Sequence, residues 1–340
     1  MGGESRMEML VAVAVILILA VVPMFLYAIV LWWFDRYEKE PLVLLVAAFL
    51  WGAVPAVVFS IIIQVLFNIP ISLLVEPGLG AELLGASLIA PITEEPFKGL
   101  ILLLLLLLFR QEIDSPLDGI VYGGLVGFGF AATENLFYFF DAYGLGGLGG
   151  VLELSFFRTL LFGLNHALFT GCTGLGIALA RTSPRWSVKI GGPILGLAAG
   201  TALHAIHNTG ATLAGALCWP LLVSLVADWG GVLTLVGILI WTANRERVWI
   251  ARYLVEEIRV GAIGPRDYRV IQSYWRRVGQ RAQALAQGDF ARWRWLGRYY
   301  RLATELAFAK HRWATFGPER ETQARIERLR RELYELRKRL

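Results

Sequence analysis

The chain is predicted to be all-α, a polytopic membrane bundle of about seven transmembrane helices followed by a C-terminal helical cytoplasmic tail. Three observations predict it. Hydrophobic residues make up 56% of the chain against 17% charged, with a mean hydropathy of +0.58. The apolar residues fall in runs of about 20 or more, the length a helix needs to cross a bilayer. Lys and Arg gather in alternate connections, as in proteins whose loops lie on two different sides of a membrane.

Seven segments have spanning length: 9–33, 43–67, 83–109, 119–141, 155–180, 190–213 and 221–243. The first is too long for a signal-peptide core, has no basic segment before it and reads as a retained span. The third contains Pro91, Pro96, Glu94, Glu95 and Lys98, and reads as one long helix kinked or locally unwound at its prolines. The fourth carries Gly119, Gly123 and Gly127 at four-residue spacing, a stripe that lets helix backbones approach closely in lipid. The glycine-rich stretch 144–150 after it reads as a flexible outside loop.

Arg36 and Lys39 follow the first span, Arg110 the third, and Arg181, Arg185 and Lys189 the fifth. The alternate loops 68–82, 142–154 and 214–220 contain no Lys or Arg. The N-terminus is therefore expected outside and the C-terminus in the cytoplasm of a cell-membrane protein. The expected division is a membrane domain over 1–243 and a basic helical tail over 244–340. That tail holds 23 Lys/Arg against 11 Asp/Glu, a net +12, while the rest of the chain is net acidic. Such a tail suits the cytoplasmic face and anionic headgroups. The acidic residues interspersed along it argue against nucleic acid as a partner. Its last helix spaces Ile326, Leu329, Leu333, Leu336 and Leu340 as an amphipathic or coiled-coil stripe, too short to assign an oligomeric state. Trp275, Trp293, Trp295, Tyr299 and Tyr300 are expected to form a small core there. Cys172 and Cys218 support neither a disulfide framework nor a thiolate cluster and read as packing residues.

Ionisable side chains within spans cost at least ~2.5–3.5 kcal/mol each, which makes them functional candidates. Glu94, Glu134, His166, His204 and Asn208 fall within a layer on the order of 10 Å thick in the outer half of the bilayer, at 1.5 Å per residue. Glu94 and Lys98 share a helix face, as do His204 and Asn208, while Glu95 points about 100° away. These residue types suit hydrolysis. Glu94 would take a proton from the attacking water, His204 would share it, Asn208 would donate to the oxyanion, and Lys98 would balance the carboxylates. Plain structural readings are expected elsewhere: Asn165 and His207 as interhelical hydrogen-bonding residues, Arg158 snorkelling at the rim, Asp118 as a helix cap and Asp228 near the interface.

Four motifs carry a resemblance. Glu94-Glu95-Pro-Phe-Lys98, Phe130-Ala-Ala-Thr-Glu134-Asn135, Asn165-His166-Ala-Leu-Phe-Thr-Gly171 and His204-Ala-Ile-His207-Asn208 resemble, in order, those of the PrsW intramembrane proteases. That family is related to the type II CAAX-prenyl protease and bacteriocin-processing superfamily. The resemblance covers the third to sixth spans. It implies cleavage of membrane-associated proteins, an anti-sigma factor or similar regulator among them. It also implies a catalytic set of Glu94, Glu95, Glu134, His166, His204 and Asn208, supported by Lys98 and Asn135. CAAX-type relatives carry His where this chain has Glu134, so His166 is expected to supply that imidazole.

A metal-free glutamate mechanism is favoured, with no cofactor. Zinc is the alternative, its expected ligands being His166, His204 and Glu134, although no H-E-x-x-H is present. An ion-coupled transporter would use the same buried carboxylates, but no internal repeat of the motifs occurs. A retinal protein would need a lysine in the last span, which has none. A non-catalytic scaffold acting through the tail is the remaining class.

Overall fold

The computed structural model describes residues 2–37, 39–317 and 320–338, with side chains described for all of these except 2–5 and 68–74. Among them there are helices and no strands. The chain divides into two compact units, residues 1–33 with 40–239 and residues 34–39 with 240–340.

The first unit begins with α1 (Gly2–Phe34), α2 (Leu42–Trp51) and α3 (Val57–Leu74), the last two joined by a π-helical turn over Gly52–Ala56 that contains Pro55. After α4 (Leu79–Leu83), a second π turn over Leu84–Ile89 leads into α5 (Ala90–Leu108), the helix of Glu94, Glu95 and Lys98. Expected unwinding at the prolines takes a different form. α5 is continuous through Pro96, and the irregular turn lies just before Pro91. A proline ring crowds the carbonyl four residues back and offers no N–H, which a wider π turn accommodates without breaking the helix.

α6 (Pro116–Ser155) starts at a capping box in which Ser115 accepts from the Leu117 N–H and Asp118 accepts from the Ser115 N–H at 2.7 Å. Asp118 thus takes part in the cap, but from the third helical position; the N-cap itself is Ser115. Inside α6, Gly147 has φ +60 and turns the chain, so that Gly150 comes back against the Ala142 carbonyl. The glycine-rich stretch is a one-residue reversal between helical arms rather than a loop. A third π turn (Phe156–Leu161) follows, then non-helical residues 162–164, then α7 (Asn165–Thr182). The fifth predicted span is therefore discontinuous, and its break opens directly onto Asn165 and His166.

The glycine stripe of α6 lies flat on α7. A Cβ at Gly119, Gly123 or Gly127 would overlap the carbonyl of Gly174, Thr170 or His166 respectively. Packing without side chains in between seats His166 against Phe130 of α6, ring centroids 5.4 Å apart. α8 (Trp186–Leu213) packs on α7 through Gly192, Gly196 and Gly200, and carries His204 and Asn208. α9 (Trp219–Arg259) starts in this unit and ends in the second.

Among the described residues, five helical stretches are long and apolar enough to cross a membrane, against seven expected. One of them, Pro116–Thr182, contains both the fourth and fifth predicted spans. The third predicted span is not among the five and carries Glu94, Glu95 and Lys98.

The second unit adds α10 (Pro265–Ile271), α11 (Tyr274–Ala286), α12 (Phe290–Phe316) and α13 (Arg320–Arg337). Ile326, Leu329, Leu333 and Leu336 join Tyr299, Tyr300 and Leu306 in one core, with Trp293 and Trp295 packed against it. The stripe of α13 is thus satisfied within the unit. Leu340 lies outside the described residues. Trp275 departs from the expected core, at 64% exposed. Arg277 is buried among Tyr37, Tyr300 and the Ile271 carbonyl, and burial lowers its guanidinium to about 10. Both cysteines are free, and Cys218 is exposed rather than packed.

Candidate active site

Lys98 and Glu95 have no exposed surface and Glu94 almost none. Burying such groups is tolerable only where each finds partners. The Lys98 ammonium donates to Glu94 Oε2 at 3.1 Å and to Glu95 Oε1 at 2.9 Å, and meets His166 Nδ1 at 3.1 Å. It also sits 3.7 Å from the centre of the Phe130 ring, whose face attracts a cation. Glu94 and Glu95 diverge as helical geometry predicts. Glu94 accepts from Gln64 of α3 at 3.1 Å and lies 3.8 Å from His204 Nε2. Glu95 contacts His204 Nδ1 at 3.0 Å and accepts from the Thr170 hydroxyl at 3.1 Å. The His204 ring is clamped by Phe169, stacked at 4.9 Å, and stands edge-on to His166 at 5.2 Å.

Glu134 reaches the same cluster from α6. Its Oε2 lies 2.8 Å from His166 Nε2 and accepts from Arg158 at 2.6 Å. Arg158 also donates to Asn135 Oδ1 at 2.8 Å and lies 3.8 Å from the Tyr138 ring centre. It is no snorkelling rim residue, because the π turn over 156–161 folds it onto Glu134. Counting Glu94, Glu95 and Glu134 against Lys98 and Arg158, the network carries one formal negative charge with neutral imidazoles. One added proton neutralises it.

A cavity of about 410 Å³ adjoins the cluster, walled by His166, Glu134, Asn135, Arg158, His207 and Asn208 among others. The non-helical residues Phe162 and Gly163 border it as well, consistent with irregular backbone being tolerated where it lines a cavity. Asn208 donates to the Ala86 carbonyl in the second π turn at 2.7 Å, which leaves its second amide N–H for another acceptor. Asn135 Nδ2 is buried without a partner among the described residues.

Five of the six expected catalytic residues, with Lys98 beside them, thus form one connected network, and Asn208 shares the cavity wall with His166. Residue types and spacing assign no role to Gln64 or Thr170 and place Arg158 at the rim, yet all three contact the network. Gln64 was legible as the single amide in the second predicted span, and Thr170 as the residue one helical turn beyond His166. Arg158 was not, since its direction depends on the π turn. Asp228 is fully buried rather than interfacial, and His207 and Asn165 close on it.

Residues 40–244 match the family described as PrsW family intramembrane metalloprotease. The chain belongs to the PrsW family. Curated relatives are each named Protease PrsW. The one from Clostridioides difficile (strain 630) is 36% identical over 107 residues, covering 32% of this chain and 43% of the relative. That from Geobacillus kaustophilus (strain HTA426) is 31% identical over 147 residues, 43% of this chain and 58% of the relative. That from Bacillus subtilis (strain 168) is 30% identical over 149 residues, 44% and 61%. These matches span about half the length of the curated relatives. No solved structure matches the chain. Together with the apolar helices, PrsW membership makes this a multi-pass membrane protein.

The PrsW description implies a metal. Among the described residues, Glu94, His166 and His204 bring ligand atoms within 4.8 Å of one another. Two imidazoles and a carboxylate form a donor set that zinc accepts with a position left for water. Glu95 on His204 Nδ1 and Glu134 on His166 Nε2 supply the carboxylate backing that ligating imidazoles ordinarily have. The donor chemistry therefore fits. Glu134, expected as a ligand, is spent on Arg158 and His166, and Glu94 stands in its place. Lys98 sits among the same donor atoms, so a metal there requires its ammonium to move or lose a proton.

Proposed function

We propose that the chain is an intramembrane endopeptidase that hydrolyses a peptide bond of a membrane-associated protein, an anti-sigma factor or similar regulator being the substrate class. The observation that carries this is the buried cluster of Glu94, Lys98, His166, His204 and Glu134 against a polar cavity, inside the stretch matched by the PrsW family. The names of the curated relatives support it. The transporter alternative is not favoured by that membership.

Hydrolysis needs a base, a place for the oxyanion and a proton for the leaving amine. Glu94 takes the proton of the attacking water, and His204, 3.8 Å away at Nε2, shares it. Lys98 stays charged and keeps Glu94 and Glu95 from repelling each other. Glu95 and Phe169 fix the His204 ring. The remaining amide N–H of Asn208 donates to the oxyanion from the cavity wall. If a divalent metal is bound, Glu94, His166 and His204 hold it, and it supplies Lewis-acid polarisation and a more acidic water. Residues 1–243 form the protease-like domain and 244–340 a cytoplasmic tail, with the N-terminus outside as the basic loops require.

A cleavage assay on a membrane substrate tests the reading with Glu94→Gln, Glu134→Gln, His166→Ala and His204→Ala, each checked for expression. Glu94→Gln is expected to lower the rate by at least ~10²-fold, as for loss of an acid–base group. Cleavage retained in that variant eliminates the role.

A further inference from the structure

We infer that His207, held by Asp228, delivers the proton that the departing amine requires; this rests on the hydrolytic reading above. Three imidazoles lie in the first unit. Both nitrogens of His166 face charged groups, Lys98 and Glu134. Both nitrogens of His204 face carboxylates, Glu95 at 3.0 Å and Glu94 at 3.8 Å. His207 differs. Its Nδ1 lies 2.8 Å from Asp228 Oδ2 and 2.9 Å from the Asn165 amide, and Nε2 has no hydrogen-bond partner among the described residues.

The geometry is that of an oriented proton donor. Asp228 comes from α9, has no exposed surface and also accepts from Asn165 Nδ2 at 2.9 Å. Its second oxygen is buried without a partner among the described residues, so the carboxylate is directed at His207 and Asn165 alone. A carboxylate on one ring nitrogen fixes the ring and compensates the charge when the other nitrogen holds a proton. Phe162 packs edge-on against the His207 ring at 4.9 Å, and His207 lines the cavity together with His166 and Glu134. The two proton movements of hydrolysis thus fall to separate groups around one cavity.

The step balances. Water oxygen bonds to the carbonyl carbon and its proton passes to Glu94. The C–N bond breaks, its electron pair stays on nitrogen, and nitrogen takes the proton from His207 Nε2. The neutral imidazole then regains, through water, the proton held at Glu94. The sum is amide plus water giving carboxylic acid plus amine.

The test uses the full-length chain in detergent, a fluorophore–quencher transmembrane peptide that it cleaves, and the same peptide with an ester at the scissile bond. An alkoxide leaves with less need of a proton than an amine. His207→Gln, which can still hydrogen-bond Asp228, is expected to lower amide cleavage by about 10²-fold, and by at least tenfold more than ester cleavage. Asp228→Asn is expected to shift the amide-to-ester ratio in the same direction by a smaller factor. Should His207→Gln fold poorly, His207→Ala with added imidazole reads the same role through rescue of amide cleavage. Equal losses on both substrates, or no loss, overturn this inference while leaving the hydrolytic reading intact. Undiminished cleavage by Glu94→Gln in the same assay overturns that reading, and this inference with it.

Discussion

Lys98 of α5 places its ammonium 3.1 Å from His166 Nδ1 of α7 while holding Glu94 and Glu95 of its own helix at 3.1 and 2.9 Å. One cation thus contacts two of the three side chains of the ligand group, Glu94 and His166. Lys98→Ala is expected to raise zinc affinity, measured by dialysis and elemental analysis, because the competing charge is gone. His166→Ala and His204→Ala are expected to lower it. Equal zinc uptake by Lys98→Ala and the parent chain would show that the lysine does not contend for that position.

Removing one partner of a buried ion network strands the others. Lys98→Met is expected to destabilise the chain by about 3–5 kcal/mol, since two buried carboxylates lose their shared cation. Lys98→Met combined with Glu95→Gln is expected to recover part of that loss. Thermal denaturation in detergent reads both, and additive losses would mean that the two side chains act independently.

Gly127 lets α6 rest on the His166 carbonyl. Gly127→Ala is expected to cost about 1–3 kcal/mol through overpacking, and to reduce cleavage by moving His166 away from Lys98. A variant with unchanged melting temperature and unchanged rate would refute this dependence.

In the second unit, His311 stacks on Trp249 with centroids 3.9 Å apart. Burial, then the charges of Arg245 and Arg252, hold its imidazole down from 6.5 to about 4. The unfolded chain takes up this proton at the higher pH and the folded one resists, so folding binds fewer protons between those values. Stability from this group is therefore complete above pH about 6.5 and lost progressively as pH falls towards 4. Denaturant titrations followed by tryptophan fluorescence at pH 7.5 and 5 should show the loss, and His311→Phe should make it smaller.

Sequence patterning revealed the membrane class, the helical tail and the clustering of Glu94, Glu95, Lys98, Glu134, His166 and His204, because charge in an apolar run is conspicuous at any depth. It missed what depends on direction. Arg158 sits near the end of an apolar run in both descriptions, but only a π turn sends it to Glu134. Asp228 lies only about seven residues inside the last apolar run, yet the contacts from Asn165 and His207 hold it fully buried. The break at 162–164 left no proline in the sequence, only Gly163 among apolar residues. The tail's aromatic residues read correctly as a core except Trp275, which periodicity alone does not separate from its neighbours.

The π turn over Leu84–Ile89 has a consequence for register. Each such turn lodges one residue more than α-helical pitch would hold, so it works as an insertion within a continuous helix. Deleting a single residue there would let the segment relax to ordinary pitch with α5 close to its present orientation, whereas the same deletion in the regular first turn of α5, at 90–93, would rotate the residues beyond it by about 100°. Glu94 would then swing away from His204, and Lys98 away from His166. A one-residue deletion within 84–89 should therefore leave the site largely in place, whereas one at 90–93 should abolish it.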